Sequence, residues 1–189
     1  MRIIGGYLKG SKLYLPEDDK TRPLKDLVRE SIFNLINHSN KIMIKLYQTD
    51  VLDVYAGTGS FGLECLSRGS KNIAFIENNN NSIKILEKNI DKLKVKAKTK
   101  LIQGDALKVI NNDGNFKKTF NIIFCDPPYK DENIKKIIHL IYKKKLLKKK
   151  GIIILHRNKK TIDNLPDFFD TVEIRNYGIS KIIFGRFLS

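Results

Sequence analysis

The chain reads as a Rossmann-like α/β protein: a doubly wound sheet, mostly parallel, with one reversed strand at a C-terminal hairpin. Three observations predict this. Short β-branched runs recur from residue 50 onward, each followed by a stretch able to form a helix. The runs are apolar at consecutive positions rather than alternating, as in strands covered on both faces by helices. The last two runs are separated by only Asn176-Tyr177-Gly178, a link that suits antiparallel neighbours rather than another crossover.

Residues 2–15 spell Arg-Ile-Ile-Gly-Gly-Tyr, a Leu-Lys-Gly-Ser turn region and Lys-Leu-Tyr-Leu before Pro16, and predict a small β-hairpin extension. After a polar loop to Pro23, residues 24–37 show helical spacing, with Leu24, Leu27, Val28, Ile32, Leu35 and Ile36 on one side. The predicted strands are 51–55, 72–77, 100–103, 121–125 and 151–155. Helices are predicted over 60–68, 79–92, 105–112 and 131–147, and the closing hairpin pairs 168–175 with 179–187. The one candidate boundary falls before residue 50. It divides an N-terminal hairpin plus helix, 1–49, from a catalytic unit, 50–189, within one compact whole.

A length of 189 residues with 41% hydrophobic content bounds a single domain with a large core and excludes a disordered chain. No apolar run approaches the roughly 20 residues of a membrane span. The opening Met1-Arg2-Ile3-Ile4-Gly5-Gly6 lacks an apolar signal core, so the expected location is cytoplasmic. Cys65 and Cys125 have neither CxxC spacing nor a nearby His, which argues against a metal, a disulfide framework or redox chemistry. Nothing calls for an obligate partner subunit, and a monomer is expected.

The 36 Lys+Arg against 20 Asp+Glu leave a net charge of +16, a field that favours nucleic acid but that a lysine-rich compositional habit also produces. The run Lys143-Lys144-Lys145 with Lys148-Lys149-Lys150 reads as the solvated end of a helix before a strand. The N-terminal set is more telling. Arg2, Lys9, Lys12, Lys20, Arg22, Lys25 and Arg29 are interleaved with Tyr7 and Tyr14, a pattern that suits RNA.

Asp53-Val54-Tyr55-Ala56-Gly57-Thr58-Gly59-Ser60-Phe61-Gly62 leaves the first strand and enters a helix. Gly57 and Gly59 let the backbone turn tightly and approach a ligand closely. Glu77 ends the next strand, where a carboxylate can accept from both hydroxyls of a ribose. These features alone fit NAD(P) or another adenosine cofactor. Asp53, inside the strand end, disfavours a pyrophosphate and suits a ligand carrying a sulfonium. Gly104-Asp105-Ala106 follows the third strand, where Asp105 either accepts from an adenine amino group or caps a helix. Together these describe a site for S-adenosylmethionine.

Asp126-Pro127-Pro128-Tyr129 directly follows the fourth strand, so it should stand beside the glycine turn at the carboxyl edge of the sheet. Two prolines fix the backbone and remove two donors, leaving carbonyls aimed into a cleft. Asp126 adds a carboxylate, and Tyr129 a flat face for a base. An exocyclic amino group is a poor nucleophile because its lone pair is delocalised into the ring. Two acceptors on its hydrogens, the Asp126 carboxylate and the Pro127 carbonyl, would favour a pyramidal nitrogen poised for in-line methyl transfer. Such a base must leave its stack to enter. His156, after the fifth strand, reads as a strand-end residue, since no partner acid is identifiable from sequence.

The glycine turn continued through Leu63-Glu64-Cys65-Leu66-Ser67-Arg68-Gly69, the Asp126–Tyr129 tetrad, the opening Met1–Gly6, Arg22-Pro23, and Val28-Arg29-Glu30-Ser31-Ile32-Phe33-Asn34 resemble the RsmD family. These are bacterial 16S ribosomal RNA guanine-N2 methyltransferases. The resemblance covers nearly the whole chain in order. It implies a class I methyltransferase fold, S-adenosylmethionine as donor, and a guanine of small-subunit RNA, met in a subunit or an assembly intermediate, as substrate. It places Arg22 and Pro23 near the methionine end of the cofactor and gives the N-terminal hairpin, with Arg2, Lys9, Lys12 and Arg29, an RNA-holding role. Thr58 and Ala106 join the cofactor set beside Asp53, Gly57, Gly59, Glu77 and Asp105. One departure is that Leu24 and Lys25 follow Arg22-Pro23 where the family usually has Thr. Three alternatives stand beside this reading: an adenine-N6 methyltransferase using the same tetrad, an NAD(P)-binding oxidoreductase, and a non-enzymatic ribosome-binding factor.

Overall fold

The computed structural model describes residues 1–16, 26–128 and 131–188. Among them, the helices are α1 (Asp26–His38), α2 (Ser60–Ser67), α3 (Asn80–Lys92), α4 (Ala106–Asn111) and α5 (Ile134–Lys143). The strands are β1 (Asp50–Val54), β2 (Asn72–Glu77), β3 (Thr99–Gln103), β4 (Phe120–Cys125), β5 (Leu147–Asn158), β6 (Phe169–Tyr177) and β7 (Ser180–Phe187). They form one sheet in the order β3-β2-β1-β4-β5-β7-β6. Pairing is parallel from β3 through β5, while β7 runs antiparallel to both β5 and β6. The doubly wound, mostly parallel sheet with one reversed strand is therefore present as predicted.

The consecutive apolar runs explain the layering. Val51, Ile73, Phe75, Ile122, Phe124, Ile152 and Ile154 face one side, against Ile32 and Phe33 of α1, Phe61 and Leu66 of α2, and Leu86 of α3. Their neighbours in sequence, such as Leu52, Val54, Ile76, Ile123, Cys125 and Leu155, face the other side, against Val109 of α4 and Ile137 and Ile141 of α5. Period-two alternation thus feeds two cores, and neither face of the central strands meets water. Cys65 and Cys125 are free thiols, one buried in each layer. Among the described residues no helix is long and apolar enough to cross a membrane.

One expectation is refined and two are corrected. The hairpin expected over residues 2–15 is present but short: one antiparallel bridge joins Arg2 to Lys12, flanked by the Ile3 N–H on the Ser11 carbonyl at 2.9 Å and the Leu13 N–H on the Met1 carbonyl at 3.1 Å, and the segment is an arm lashed to the domain with Ile3 and Leu13 in the first core layer. The helix expected over 131–147 begins at Ile134 and ends at Lys143. Lys145 takes φ 51°, with its N–H on the Tyr142 carbonyl and the Leu146 N–H on the Ile141 carbonyl. That is the helix-ending motif usually built on glycine, here built on lysine and hence without its customary sequence mark. Consequently Lys148, Lys149 and Lys150 lie in β5, which starts at Leu147 opposite Phe120 and shifts register before Ile152. They are not a helix end. The second correction concerns Arg29. It sits on the buried stripe of α1 with no exposed surface, so it offers nothing to RNA.

Candidate active site

Register brings the site together. Val54 of β1 pairs with Ile76 of β2 and Cys125 of β4, and Cys125 pairs with Leu155 of β5. The residues one step beyond, namely Tyr55, Glu77, Asp126 and His156, therefore stand in one row along the carboxyl edge. The Asp126 N–H donates to the Val54 carbonyl at 3.3 Å, and the Ala56 N–H to the Ile76 carbonyl at 2.9 Å, which stitches the row across three strands.

The turn after β1 needs its glycines. Gly57 takes φ 56° and Gly59 φ 80°, and a Cβ at Gly59 would stand 2.3 Å from Leu86 Cδ1. Both the left-handed backbone and the close helix packing exclude a side chain there. Glu77 locks the turn from the neighbouring strand. Its Oε2 accepts from the Gly57 N–H at 2.6 Å, and its Oε1 from the N–H groups of Asn78 and Asn79, each at 2.8 Å. The carboxylate expected to meet a ribose thus also organises the loop around that ribose position. Asp53 lies beneath the turn, 1% exposed, with Oδ2 accepting from the Gly62 N–H of α2 at 3.0 Å. Burial pushes its carboxyl well above the ordinary range, and the charges of Asp126 and Glu77 push the same way. Its predicted contact with a ligand is replaced by support from below, acting through the helix entrance. Asp105 is exposed and caps α4, its Oδ1 accepting from Lys108 N–H at 3.1 Å, while Ala106 is buried as the first residue of that helix.

At the tetrad, Asp126 is partly exposed and Pro127 buried; no described residue donates a hydrogen bond to the Pro127 carbonyl. The Pro128 carbonyl is used, accepting from the Asp131 N–H at 2.8 Å. Buried Arg157 anchors the exit of this segment, donating from Nη2 to the Asp131 carbonyl at 3.0 Å and from Nε to Asp163 at 2.7 Å. Arg22, Pro23 and Tyr129 lie outside the described residues.

Sequence reasoning missed the parts played by His156, Ser180, Tyr55, Arg157 and Asn89. The Nδ1 of His156 lies 2.7 Å from Asp126 Oδ1 and its Nε2 lies 2.9 Å from Ser180 Oγ. An ionised carboxylate can only accept, so Nδ1 carries the hydrogen, and in the neutral ring Nε2 accepts from the Ser180 hydroxyl. The partner acid was one strand away, and parallel pairing of β4 with β5 would have found it. Tyr55, at φ 64°, leaves β1 toward Asp131; burial raises its phenol far above its ordinary range, with Asp131 adding to the effect. Asn89 is fully buried on α3. Its Oδ1 accepts from the Tyr14 N–H at 2.7 Å, and its Nδ2 donates to the carbonyls of Tyr14 at 3.2 Å and Thr58 at 3.1 Å. One side chain therefore ties the N-terminal arm to the glycine turn, and Thr58 contributes through its backbone.

The arm is further held by Glu64 of α2, whose carboxylate accepts from the N–H groups of Ile4 at 2.7 Å and Gly5 at 2.8 Å and from Arg68 Nε at 2.7 Å. Arg29 closes the same cluster. Its Nη2 donates to the Arg2 carbonyl and pairs with Asp26, and its Nε lies 3.9 Å from Glu64. Arg2, Lys9 and Lys12 remain exposed on the arm.

Among the described residues, none of Glu77, Asp105 and Asp126 is paired with Lys or Arg. On a chain of net charge +16, a cleft lined by unneutralised acids suits a cationic ligand without phosphates. S-adenosylmethionine fits that donor set, whereas a pyrophosphate would face the acids directly.

A family model described as Conserved hypothetical protein 95 matches residues 1–186. The Bacillus subtilis protein YlbH is 31% identical over 185 residues, covering 96% of each chain. A Haemophilus influenzae protein named Ribosomal RNA small subunit methyltransferase D is 29% identical over 180 residues, covering 95% of this chain and 90% of its own. The solved structure of Escherichia coli yhhF superposes with a TM-score of 0.84 at 26% identity, covering 100% of this chain and 99% of that one.

Proposed function

This chain belongs to the RsmD family, and from that premise we propose that it methylates the exocyclic N2 amino group of a guanine in 16S ribosomal RNA. The observation that carries the reading is the position of Asp126. Its carboxylate stands one register step from the glycine turn, braced by His156 and followed by the Pro127 carbonyl. Relatives named for small-subunit ribosomal RNA methylation supply the substrate class.

S-adenosylmethionine, held by the glycine turn, Glu77 and the Asp105–Ala106 helix entrance, supplies an electrophilic methyl carbon on a positively charged sulfur. Every other contribution comes from the chain. Asp126 accepts one amino hydrogen and the Pro127 carbonyl the other, which fixes the nitrogen lone pair toward the donor side. The new C–N bond would form as the donor's sulfur–methyl bond breaks, its electron pair staying on sulfur in the departing S-adenosylhomocysteine; the nitrogen then becomes cationic and must lose a proton. Asp126 receives it, and the His156–Ser180 pair behind keeps the carboxylate aimed throughout. The exposed Arg2, Lys9 and Lys12 hold RNA phosphates beside the cleft. The form proposed is a monomer acting on a small-subunit particle or an assembly intermediate, since one chain completes the row of site groups.

The test is nucleoside mass spectrometry of small-subunit RNA from cells with and without the gene, backed by transfer of tritiated methyl groups in vitro. N2-methylguanosine that disappears with the gene is expected. Label in N6-methyladenosine, or unchanged methylation in the deletion strain, overturns the assignment.

A further inference from the structure

We propose that the opposite edge of the sheet, where the parallel strands begin, carries a second RNA-backbone contact; this rests on the ribosomal RNA reading above. A cavity of about 410 Å³ opens there, lined by Phe116, Lys117, Lys118, Lys144, Lys145 and Lys148. A second cavity of about 300 Å³ shares Asp50, Phe116, Lys117 and Lys118 with it, so the two form one groove under β1, β2 and β4. Five lysines thus line the first cavity beside a single carboxylate, Asp50.

The internal pairing says which charges are available. Lys144 is committed to Asp113 at 2.6 Å, and Lys148 to Asp50 at 3.1 Å and Asn121 at 2.8 Å. Among the described residues no carboxylate lies within 4 Å of Lys117, Lys118 or Lys145, all of them exposed. Lys145 takes its left-handed backbone just past the end of α5 and is exposed. With Asp50, the carboxylate in this lining, already paired to Lys148, three ammonium groups without an ion-pair partner leave the wall an excess of positive charge that suits an anion. The partner is a polyanion that also reaches the catalytic edge. Those edges are separated by the length of β4, six residues or about 20 Å. A folded RNA can span that length; a free nucleotide cannot occupy both ends. Such contacts position the RNA without reading its sequence.

The experiment uses the full chain with Lys117→Gln, Lys118→Gln and Lys145→Gln together, and small-subunit particles from a deletion strain as substrate. The expected result is a KM for the particle raised at least about fivefold near 0.15 M salt. The slope of log affinity against log salt should shrink by about two, as three phosphates left without a cation require. Affinity for S-adenosylhomocysteine by calorimetry and kcat should be unchanged. A control variant, Lys135→Gln with Lys136→Gln and Lys143→Gln on α5, should leave the slope nearly intact. An unchanged slope in the groove variant, or an equal loss in the control, overturns the proposal. Weakened binding to particles but not to deproteinised RNA would put an acidic protein on the groove and overturn it too. A wild-type chain that leaves the particles unmethylated defeats the ribosomal RNA reading itself.

Discussion

Asp126 Oδ1 and His156 Nδ1 stand 2.7 Å apart, on adjacent parallel strands and one step past paired residues. The imidazole is itself held from behind by Ser180 Oγ, so the carboxylate has a fixed direction in which to point. In the proposed reaction that direction decides how well the amino group is presented. Asp126→Ala should abolish turnover while leaving S-adenosylhomocysteine affinity unchanged. His156→Ala should lower kcat by about 10²-fold through misplacement, again without weakening the cofactor. His156→Asn, which restores a donor toward Asp126, should recover part of the rate. Single-turnover methylation and calorimetry check the split; a cofactor affinity that falls with kcat would put His156 in the donor pocket instead.

Glu77 predicts the opposite pattern. Three backbone N–H groups converge on its carboxylate, so Glu77→Ala removes both a ligand contact and the brace of the glycine turn. Calorimetry should show affinity for S-adenosylhomocysteine falling by more than about tenfold, the equivalent of about 1.4 kcal/mol. Glu77→Gln, with one oxygen left to accept, should lose less.

The fold was legible because strand identity depends on short apolar runs, which survive any choice of loop. The end of α5 was not, because Lys145 adopts a backbone conformation that only glycine advertises. In the site, Glu77, Asp105 and Asp126 could be placed from the rule that ligands gather at strand ends. His156 could not be joined to Asp126 without the strand order. Arg29 is the instructive error: counted by charge it belongs to the RNA set, but Val28, Ile32, Phe33 and Ile36 put it on the apolar stripe of a helix. Spacing carried the information and charge obscured it.

Asp53 offers a pH test. Its carboxyl is raised by burial, so the folded chain binds a proton there more tightly than the unfolded chain does. Stability from this group is present below the unfolded value of about 3.9 and is lost as pH rises from there toward the folded value. Asp53→Asn keeps an oxygen for the Gly62 N–H and removes the ionisation. Thermal melts should therefore show the variant gaining on the wild type as pH rises above about 4. A gap that narrows with rising pH would mean that the buried group is charged and stabilised as such.

Asn89 should couple two functions, RNA binding by the arm and cofactor binding by the glycine turn. Asn89→Ala strands the Tyr14 N–H and the carbonyls of Tyr14 and Thr58, at a stability cost of about 2–3 kcal/mol in urea unfolding. In the folded variant the arm and the glycine turn lose their shared tether. Affinity for RNA and for S-adenosylhomocysteine should both weaken, whereas Glu77→Ala weakens only the second.

The arm separates structural from functional cations. Arg29→Met leaves the Arg2 carbonyl without its donor and Glu64 without one of its positive neighbours, and should destabilise the chain by about 2–3 kcal/mol. The salt dependence of RNA binding in the surviving folded fraction should not change, because a guanidinium with no exposed surface releases no counterions from a phosphate. Arg2→Glu, Lys9→Glu and Lys12→Glu should do the reverse. Their side chains are exposed, so the melting temperature should hold while the salt slope shrinks by about 0.7 for each phosphate no longer neutralised. Filter binding across a potassium chloride series, run beside thermal melts on the same preparations, distinguishes the two. If the three exposed reversals left the slope unchanged, the arm would be a packing element alone, and RNA would have to approach the cleft from another side.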